Sequence, residues 1–136
     1  MYQPKNFILF LPILVLSFFC LFPNQALCAQ VSGDLKALSG HKIQIILDIK
    51  TPAPNTIIIT LHLPADTAVV SAQPAIAKAQ PRQGEVNWLL SHVQPGKLRI
   101  LCRLNKEVKI SELIASVRYK NPQTGKMEED MISGSD

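Results

Sequence analysis

The chain has 136 residues and a formal net charge of +4, and its 14 Lys and Arg are spread along the sequence without a basic run. This distribution gives no reason to expect nucleic-acid binding. Once a leader is removed, the length allows one compact domain and excludes two.

The first segment is typical of a secretory leader. It carries a single lysine, then an almost unbroken apolar run from Phe7 to Phe22, and small residues before the expected cut. As a helix this run measures about 24 Å, which is short of the ~30 Å hydrocarbon core of a bilayer. We therefore expect residues 1–29 to be a signal peptide, cleaved after Ala29 or after Cys28. The protein is then exported to the periplasm or cell surface, with no stable membrane span after cleavage.

Cysteine usage limits the covalent framework. Of the three cysteines, only Cys102 remains after either cut. No internal disulfide is then possible, so the fold must be held together by packing alone.

The next segment, residues 30–41, is polar and contains glycine, and we expect it to be a flexible arm. Beyond it, short alternating runs of apolar and polar residues predict strands. In chain order the runs are HKIQIILDIK, TIIITLHLP, DTAVVSAQP, GEVNWLL, KLRILCRL, ELIASVRYK and KMEEDMI. The segment AIAKAQPRQG is ambiguous, because Pro74 and Pro81 bracket it and leave little length for a helix.

Turn residues separate these runs. Pro95 and Gly96 suit a type II turn, and the strands on either side of them either form a hairpin or lie in facing sheets. NPQTGK suits a hairpin loop between the last two strands. The connections are too short for the helical crossovers that parallel strands need.

About seven strands without a convincing helix predict an all-β domain. We expect an antiparallel, immunoglobulin-like β-sandwich over residues 42–132, with a small barrel as the alternative. Residues 133–136 are expected to be a disordered tail.

Trp88 is the only tryptophan, and its position on the strand predicts its role. It shares a face with Val86 and Leu90, so we expect it to point into the sandwich with its indole N–H bonded to a backbone carbonyl. The alternative is an exposed platform for a sugar ring.

Cys102 follows the same rule. It shares a face with Leu98 and Ile100, which predicts a buried and inert thiol, and the alternative is a disulfide between two copies. The predicted core residues are Val86, Trp88, Leu98, Ile100, Cys102 and Val117.

The histidines do not suggest catalysis or metal binding. His41, His62 and His92 are too far apart in sequence for a typical zinc site. Ser91 and His92 are adjacent on a strand end, so we expect their side chains to point in opposite directions and to be badly placed to share a proton.

The acidic cluster Glu128, Glu129 and Asp130 lacks the spaced ligands and glycine of a calcium loop, and we expect a solvated strand end. We assign no catalytic residue, no metal site and no cofactor, and predict that the protein is not an enzyme.

Four basic residues form the candidate binding surface. Arg99 and Arg103 share the outer face of one predicted strand, and Arg118 and Lys120 share that of another. If these strands are neighbours, the side chains form a basic stripe that would bind an acidic partner or an anionic polysaccharide. A merely soluble sheet face is the alternative.

The segments LPADTAVVSAQPA, GEVNWLL, VQPGKLRILCRL and ASVRYKNPQTG together resemble a domain of unknown function that recurs in bacterial cell-surface and envelope proteins. The resemblance covers roughly residues 43–132. It implies an immunoglobulin-like fold, an extracytoplasmic location and a structural or adhesive role without a catalytic centre. In contrast to the family pattern, in which such domains commonly occur in tandem, we expect one copy here and no wall-sorting or transmembrane segment after it.

Together these features predict an exported, non-catalytic β-sandwich that binds other proteins in the bacterial envelope as a structural, adhesive or accessory subunit. The alternative is a carbohydrate-binding module for an envelope or extracellular polysaccharide, which would use the arginines and Tyr119. A secreted enzyme of unrecognised type is a third hypothesis.

Overall fold

A computed structural model describes residues 29–80 and 84–134. Apart from Ala29, the predicted signal peptide of residues 1–29 lies outside these residues. The described chain forms nine β-strands and one short 3-10 turn, and contains no α-helix. The strands are β1 (Val31–Ser39), β2 (Lys42–Ile49), β3 (Thr56–His62), β4 (Val69–Gln73), β5 (Lys78–Gln80), β6 (Glu85–Ser91), β7 (Gly96–Leu104), β8 (Ile114–Lys120) and β9 (Met127–Ile132), and the 3-10 turn is Ile110–Glu112.

The strands form two sheets. One has four strands in the order β1-β2-β7-β4, and the other has five in the order β5-β6-β3-β8-β9. All the pairs of neighbouring strands are antiparallel. The prediction of an all-β, antiparallel sandwich is confirmed.

The core lies between the sheets and is built from alternate residues of each strand. In β2, Ile43, Ile45 and Leu47 are buried, while Gln44 and Ile46 between them are only half-buried and face outward. Strands of this kind suit β-branched side chains, which pack well on a pleated surface. The sandwich is therefore held by apolar packing between two sheets.

The prediction of a flexible arm at residues 30–41 is wrong, because β1 occupies most of that segment. Val31 and Leu35 are buried in the core, and β1 pairs with β2 along its length. The inward position between them is held by Gly33, and a residue without a side chain interrupts the apolar alternation that predicts a strand. The domain therefore begins at β1 and not at residue 42.

Two further differences lie in short segments. The ambiguous stretch after Pro74 contains β5, which pairs with β6, so the sandwich has nine strands and not about seven. The expected disordered tail at 133–136 is wrong for Gly134, which forms a parallel bridge with Leu35, whereas residues 135–136 lie outside the described residues.

The structure decides the alternatives for the two predicted turns. β6 and β7 belong to different sheets, so the segment with Pro95 and Gly96 crosses from one sheet to the other and does not close a hairpin. Gly96 has a positive φ of 119°, which favours glycine, and it is the first residue of β7. The NPQTGK hairpin is confirmed, since β8 pairs with β9 and the Gly125 N–H donates to the Asn121 carbonyl at 2.8 Å.

One side of the sandwich is closed where β1 contacts β9. The closest approach depends on Gly33, because a Cβ there would lie 2.6 Å from Cδ1 of Ile132 and 3.0 Å from Cδ2 of Leu47. On the opposite side the sheets end at β4 and β5.

We expect Gly33→Ala to lower the free energy of unfolding by about 1–3 kcal/mol, because its methyl group must displace the buried Ile132 side chain. Urea unfolding followed by Trp88 fluorescence measures this. Ser32→Ala, at the exposed neighbouring position of β1, is the control and should change stability little. Equal unfolding midpoints for both variants would contradict the close packing of β1 against β9.

Candidate functional site

Trp88 lies in the core. Its side chain has an exposed fraction of 0%, and its Nε1–H donates to the Pro74 carbonyl at 3.1 Å. The hydrogen bond ties β6 to the segment that follows β4. Trp88 therefore offers no ring face to a sugar.

Cys102 is also buried, with an exposed fraction of 3%. It pairs with Ile43 on one side and Ala72 on the other, both of which face inward. Burial raises the pKa of the Cys102 thiol from its ordinary value of 9.0 to about 12. Because the thiolate is the nucleophile, the thiol is protonated and inert at neutral pH.

The remaining predicted core residues occupy similar positions. Val86, Ile100 and Val117 are buried, whereas Leu98 is half-buried and packs against the edge of the core. The predicted inward face of each strand is thus the face that the structure buries.

The histidines are separate and exposed. His41, His62 and His92 lie at the surface, and no group of three His, Cys, Asp or Glu within residues 29–80 and 84–134 could hold a metal ion. His92 follows the last residue of β6 with a positive φ of 56°, and its backbone N–H donates to the Asn55 carbonyl beside β3.

A partly buried polar cluster around Tyr119 was not predicted from the sequence. The Tyr119 hydroxyl donates to Oε2 of Glu128 at 2.7 Å and accepts a hydrogen bond from the Val31 N–H at 3.4 Å. Nδ2 of Asn121 donates to the other oxygen of Glu128, also at 2.7 Å. Burial and the bond to Glu128 raise the pKa of Tyr119 above its ordinary value of 10.0.

This cluster joins β1, β8 and β9, and its role is to close the side of the sandwich where β1 contacts β9. The prediction of a solvated strand end is therefore wrong for Glu128, whereas Glu129 and Asp130 are exposed. Tyr119 has an exposed fraction of 2%, which removes it from any sugar-binding surface. The only sequence feature that indicates this cluster is the position of Asn121 and Glu128 on either side of the hairpin loop.

The predicted basic stripe does not form. Arg99 and Arg103 lie on β7 in the four-stranded sheet, whereas Arg118 and Lys120 lie on β8 in the five-stranded sheet. All four side chains are exposed, so the two pairs lie on opposite outer faces of the sandwich. Arg118 also forms an ion pair with Glu129 at 3.4 Å.

Arg99 and Arg103 belong instead to a different charged surface, the outer face of β1, β2 and β7. We call it the basic face, and its charged members are the cations Lys36, Lys42, Lys97, Arg99 and Arg103 and the carboxylates Asp34 and Asp48. The carboxylates lie toward one end, where Asp48 is directly opposite Lys97 and Asp34 forms an ion pair with Lys36 at 3.3 Å. The sequence pattern could not reveal this face, because it depends on the pairing of strands that are distant in sequence.

Positive charge is concentrated at the other end of the basic face. Lys42 pairs directly with Arg103, and Ser71 of β4 pairs with Arg103 from the other side. Like charges directly opposite each other on neighbouring strands destabilise a sheet. This row of side chains is therefore suited to an anion that lies between the two cations.

A shallow groove of about 660 Å³ lies over this row, and we call it the β4 groove. Its outward-facing residues are Leu38, Lys42, Ser71, Gln73, Leu101 and Arg103. Leu38 and Leu101 are exposed by 51% and 41%. None of the described residues that line the groove is an Asp or a Glu.

Comparison with known proteins returned no relative: no protein-family model, curated protein or solved structure matches this chain. Within residues 29–80 and 84–134, no helix has the length and apolar character needed to cross a membrane.

The buried thiol leads to a prediction about pH. The unfolded chain loses the Cys102 proton near pH 9.0, whereas the folded protein keeps it until about pH 12. The contribution of the protonated thiol to the free energy of unfolding is therefore complete below pH 9. It is lost as the pH rises, by up to about 1.4 kcal/mol for each pH unit. Urea unfolding at intervals from pH 8 to 10.5 measures this loss.

Cys102→Ala is the comparison, because it is less stable at neutral pH through its lost packing but lacks the titrating thiol. We expect the stability of the native sequence to fall more steeply above pH 9 than that of the variant. Parallel curves, or rapid reaction of the native thiol with a disulfide reagent at pH 8, would show that Cys102 is accessible to solvent.

Proposed function

We propose that this chain is an exported, non-catalytic β-sandwich that binds another protein in the bacterial envelope as a structural, adhesive or accessory subunit. Export through a signal peptide at residues 1–29, to the periplasm or cell surface, is part of this proposal. The support for export is the single lysine, the apolar run and the small residues before the expected cut.

We also propose that the sandwich is immunoglobulin-like and related to the envelope domain family that its sequence resembles. The four-stranded order β1-β2-β7-β4 has the connectivity A-B-E-D of a constant-type domain, and β3-β8-β9 has that of C-F-G. β5 and β6 then form an inserted hairpin between strands D and E, next to strand C. This correspondence supports the assignment independently of the sequence resemblance.

The basic face is the observation that carries the binding proposal. It presents five cations and two carboxylates on one outer surface of the sandwich. A surface with such an excess of one charge attracts a partner of opposite charge and accelerates its association. The matching partner surface is therefore acidic.

Burial of the reactive groups supports a non-catalytic role. Cys102 is protonated in the core, and the three histidines are exposed and separate. The same burial argues against the sugar-binding alternative, because Trp88 and Tyr119 are the aromatic residues after position 29 and both lie in the core. Sugar-binding modules commonly use exposed aromatic rings, which these two residues do not supply.

We expect a photo-crosslinking amino acid in place of Gln44 to capture a protein in intact cells that express the full-length chain. Gln44 lies between Lys36 and Leu101 on the basic face. The control is the same amino acid in place of Ile58, which is half-buried and outward-facing at the centre of the other sheet. Capture should require the Gln44 position and should weaken from 0.1 M to 1 M salt, as the screening length falls from about 10 Å to about 3 Å.

Equal capture from both positions, or none from either, would contradict a specific role for the basic face. A product that carries glycan and no second protein would favour the carbohydrate-binding alternative. Mass spectrometry of the captured chain tests export in the same experiment, because a chain that still contains residues 1–29 would contradict cleavage of the leader.

A further inference from the structure

We infer that the β4 groove binds an extended acidic segment of the partner protein, which pairs with the open edge of β4 and lays a carboxylate against Arg103 and Lys42. This inference rests on the proposed function, and it adds the location of the site and the chemistry of the ligand. Charge, an unpaired strand edge and exposed apolar side chains support it.

A pair of adjacent cations gives the β4 groove its positive charge. Lys42 and Arg103 face each other directly on neighbouring strands, and the described lining of the groove supplies no carboxylate to separate them. Asp34 and Asp48 lie further along the face, where they are opposite Ile46 and Lys97. An anionic ligand that lies over the row relieves the repulsion between the two cations.

One edge of β4 is unpaired within the described chain. β4 pairs with β7 on one side and with no other strand of the described chain, so its other edge presents backbone N–H and C=O groups. Charged residues commonly protect edge strands, and β4 has none. Its protection is confined to its short length and to the bulge at Val70, which is exposed by 61%. A bulge interrupts the pairing with β7 between Val69 and Ser71, which leaves Ser71 to Gln73 as the regular part of the edge.

The register of β4 determines which side chains of an added peptide strand lie over the basic face. Ser71 and Gln73 face outward, so a strand added to this edge places every second side chain over the basic face. Ser71 is small and adjoins Arg103, so a glutamate opposite Ser71 can reach across it to the guanidinium. Gln73 adjoins Leu101, so the residue two positions away is apolar.

These features favour a peptide over an anionic polysaccharide. A polysaccharide would bind the two cations but could use neither the backbone edge of β4 nor the apolar Leu38 and Leu101. A peptide with acidic and apolar residues at alternate outward positions uses all three. The groove is therefore assigned to an extended peptide segment.

The test uses the protein purified after expression of the complete sequence, and a fluorescent octapeptide. Every second residue of the peptide is threonine, and the positions between them are alternately glutamate and leucine. Binding is followed by fluorescence anisotropy. We expect this peptide to bind and its lysine-for-glutamate counterpart not to bind. The double variant Lys42→Glu/Arg103→Glu should weaken binding at least tenfold, since it reverses both charges at the site.

The matched control is Arg118→Glu/Lys120→Glu, which reverses two exposed charges on the opposite face and should change the affinity less than twofold. The single variant Lys42→Glu separates binding from folding. It creates an ion pair with Arg103, so the midpoint of urea unfolding should rise while peptide affinity falls. A merely structural role for Lys42 would move both quantities in the same direction.

Nuclear magnetic resonance locates the bound peptide. We expect the backbone amide signals of residues 69–73 to shift on peptide addition, because the added strand pairs with β4. Equal affinity for the two peptides, equal loss in the control variant, or shifts confined to other strands would overturn the inference. So would binding of a sulfated polysaccharide that depends on Lys42 and Arg103 without any peptide binding.

The two proposals fail in different ways. If no peptide binds while capture from the Gln44 position persists in cells, the groove assignment is wrong and the basic face still binds a partner elsewhere. If capture from Gln44 is also absent, the proposed function is wrong as well.

Discussion

Alternate side chains on each strand enter the space between the two sheets, and this constraint determines which residues can act outside the fold. β2 demonstrates the rule, since Ile43 and Ile45 are buried while Lys42 is exposed. The same alternation takes Trp88 and Cys102 into the core and leaves the charged residues of the neighbouring strands on the surface. The groups that first suggest chemistry in the sequence are therefore structural.

The two lateral sides of the sandwich differ in this protein, because one is closed by contacts between the sheets and the other ends in an unpaired strand. On one side, Glu128 accepts hydrogen bonds from Tyr119 and Asn121, and Gly134 bridges to Leu35 of β1. On the other side β4 ends its sheet without a partner among the described strands. The basic face reaches this unpaired edge, and for this reason we assign the binding of an acidic partner there.

Much of the fold could be predicted from local sequence. The alternation in ELIASVRYK and KLRILCRL identifies both the strands and their buried faces, and the NPQTGK loop identifies a hairpin. β1 could not be predicted in this way, because Gly33 occupies the inward position between Val31 and Leu35, where a larger apolar residue would have indicated a strand. Gly33 is small because Ile132 packs against its backbone, a contact between the two ends of the domain.

The candidate site depends still more on long-range pairing. The alternation in the sequence correctly predicts that Arg99 and Arg103 face outward. The predicted basic stripe, however, also included Arg118 and Lys120, which lie on the other sheet. The actual neighbours of Arg99 and Arg103 come from β1, β2 and β4, and periodicity within one strand contains no information on which strands become neighbours. The basic face is therefore a property of topology, whereas the burial of Trp88 is a property of local pattern.

The central claim, that alternate side chains point between two stacked sheets, is tested most directly by the accessibility of Trp88 to a soluble quencher. We predict a blue-shifted emission that acrylamide quenches weakly in the folded protein and strongly after denaturation in urea, because the indole is buried and bonded to the Pro74 carbonyl. Emission typical of a water-exposed indole, with equal quenching before and after denaturation, would contradict the inward orientation of β6 and the account of the fold that depends on it.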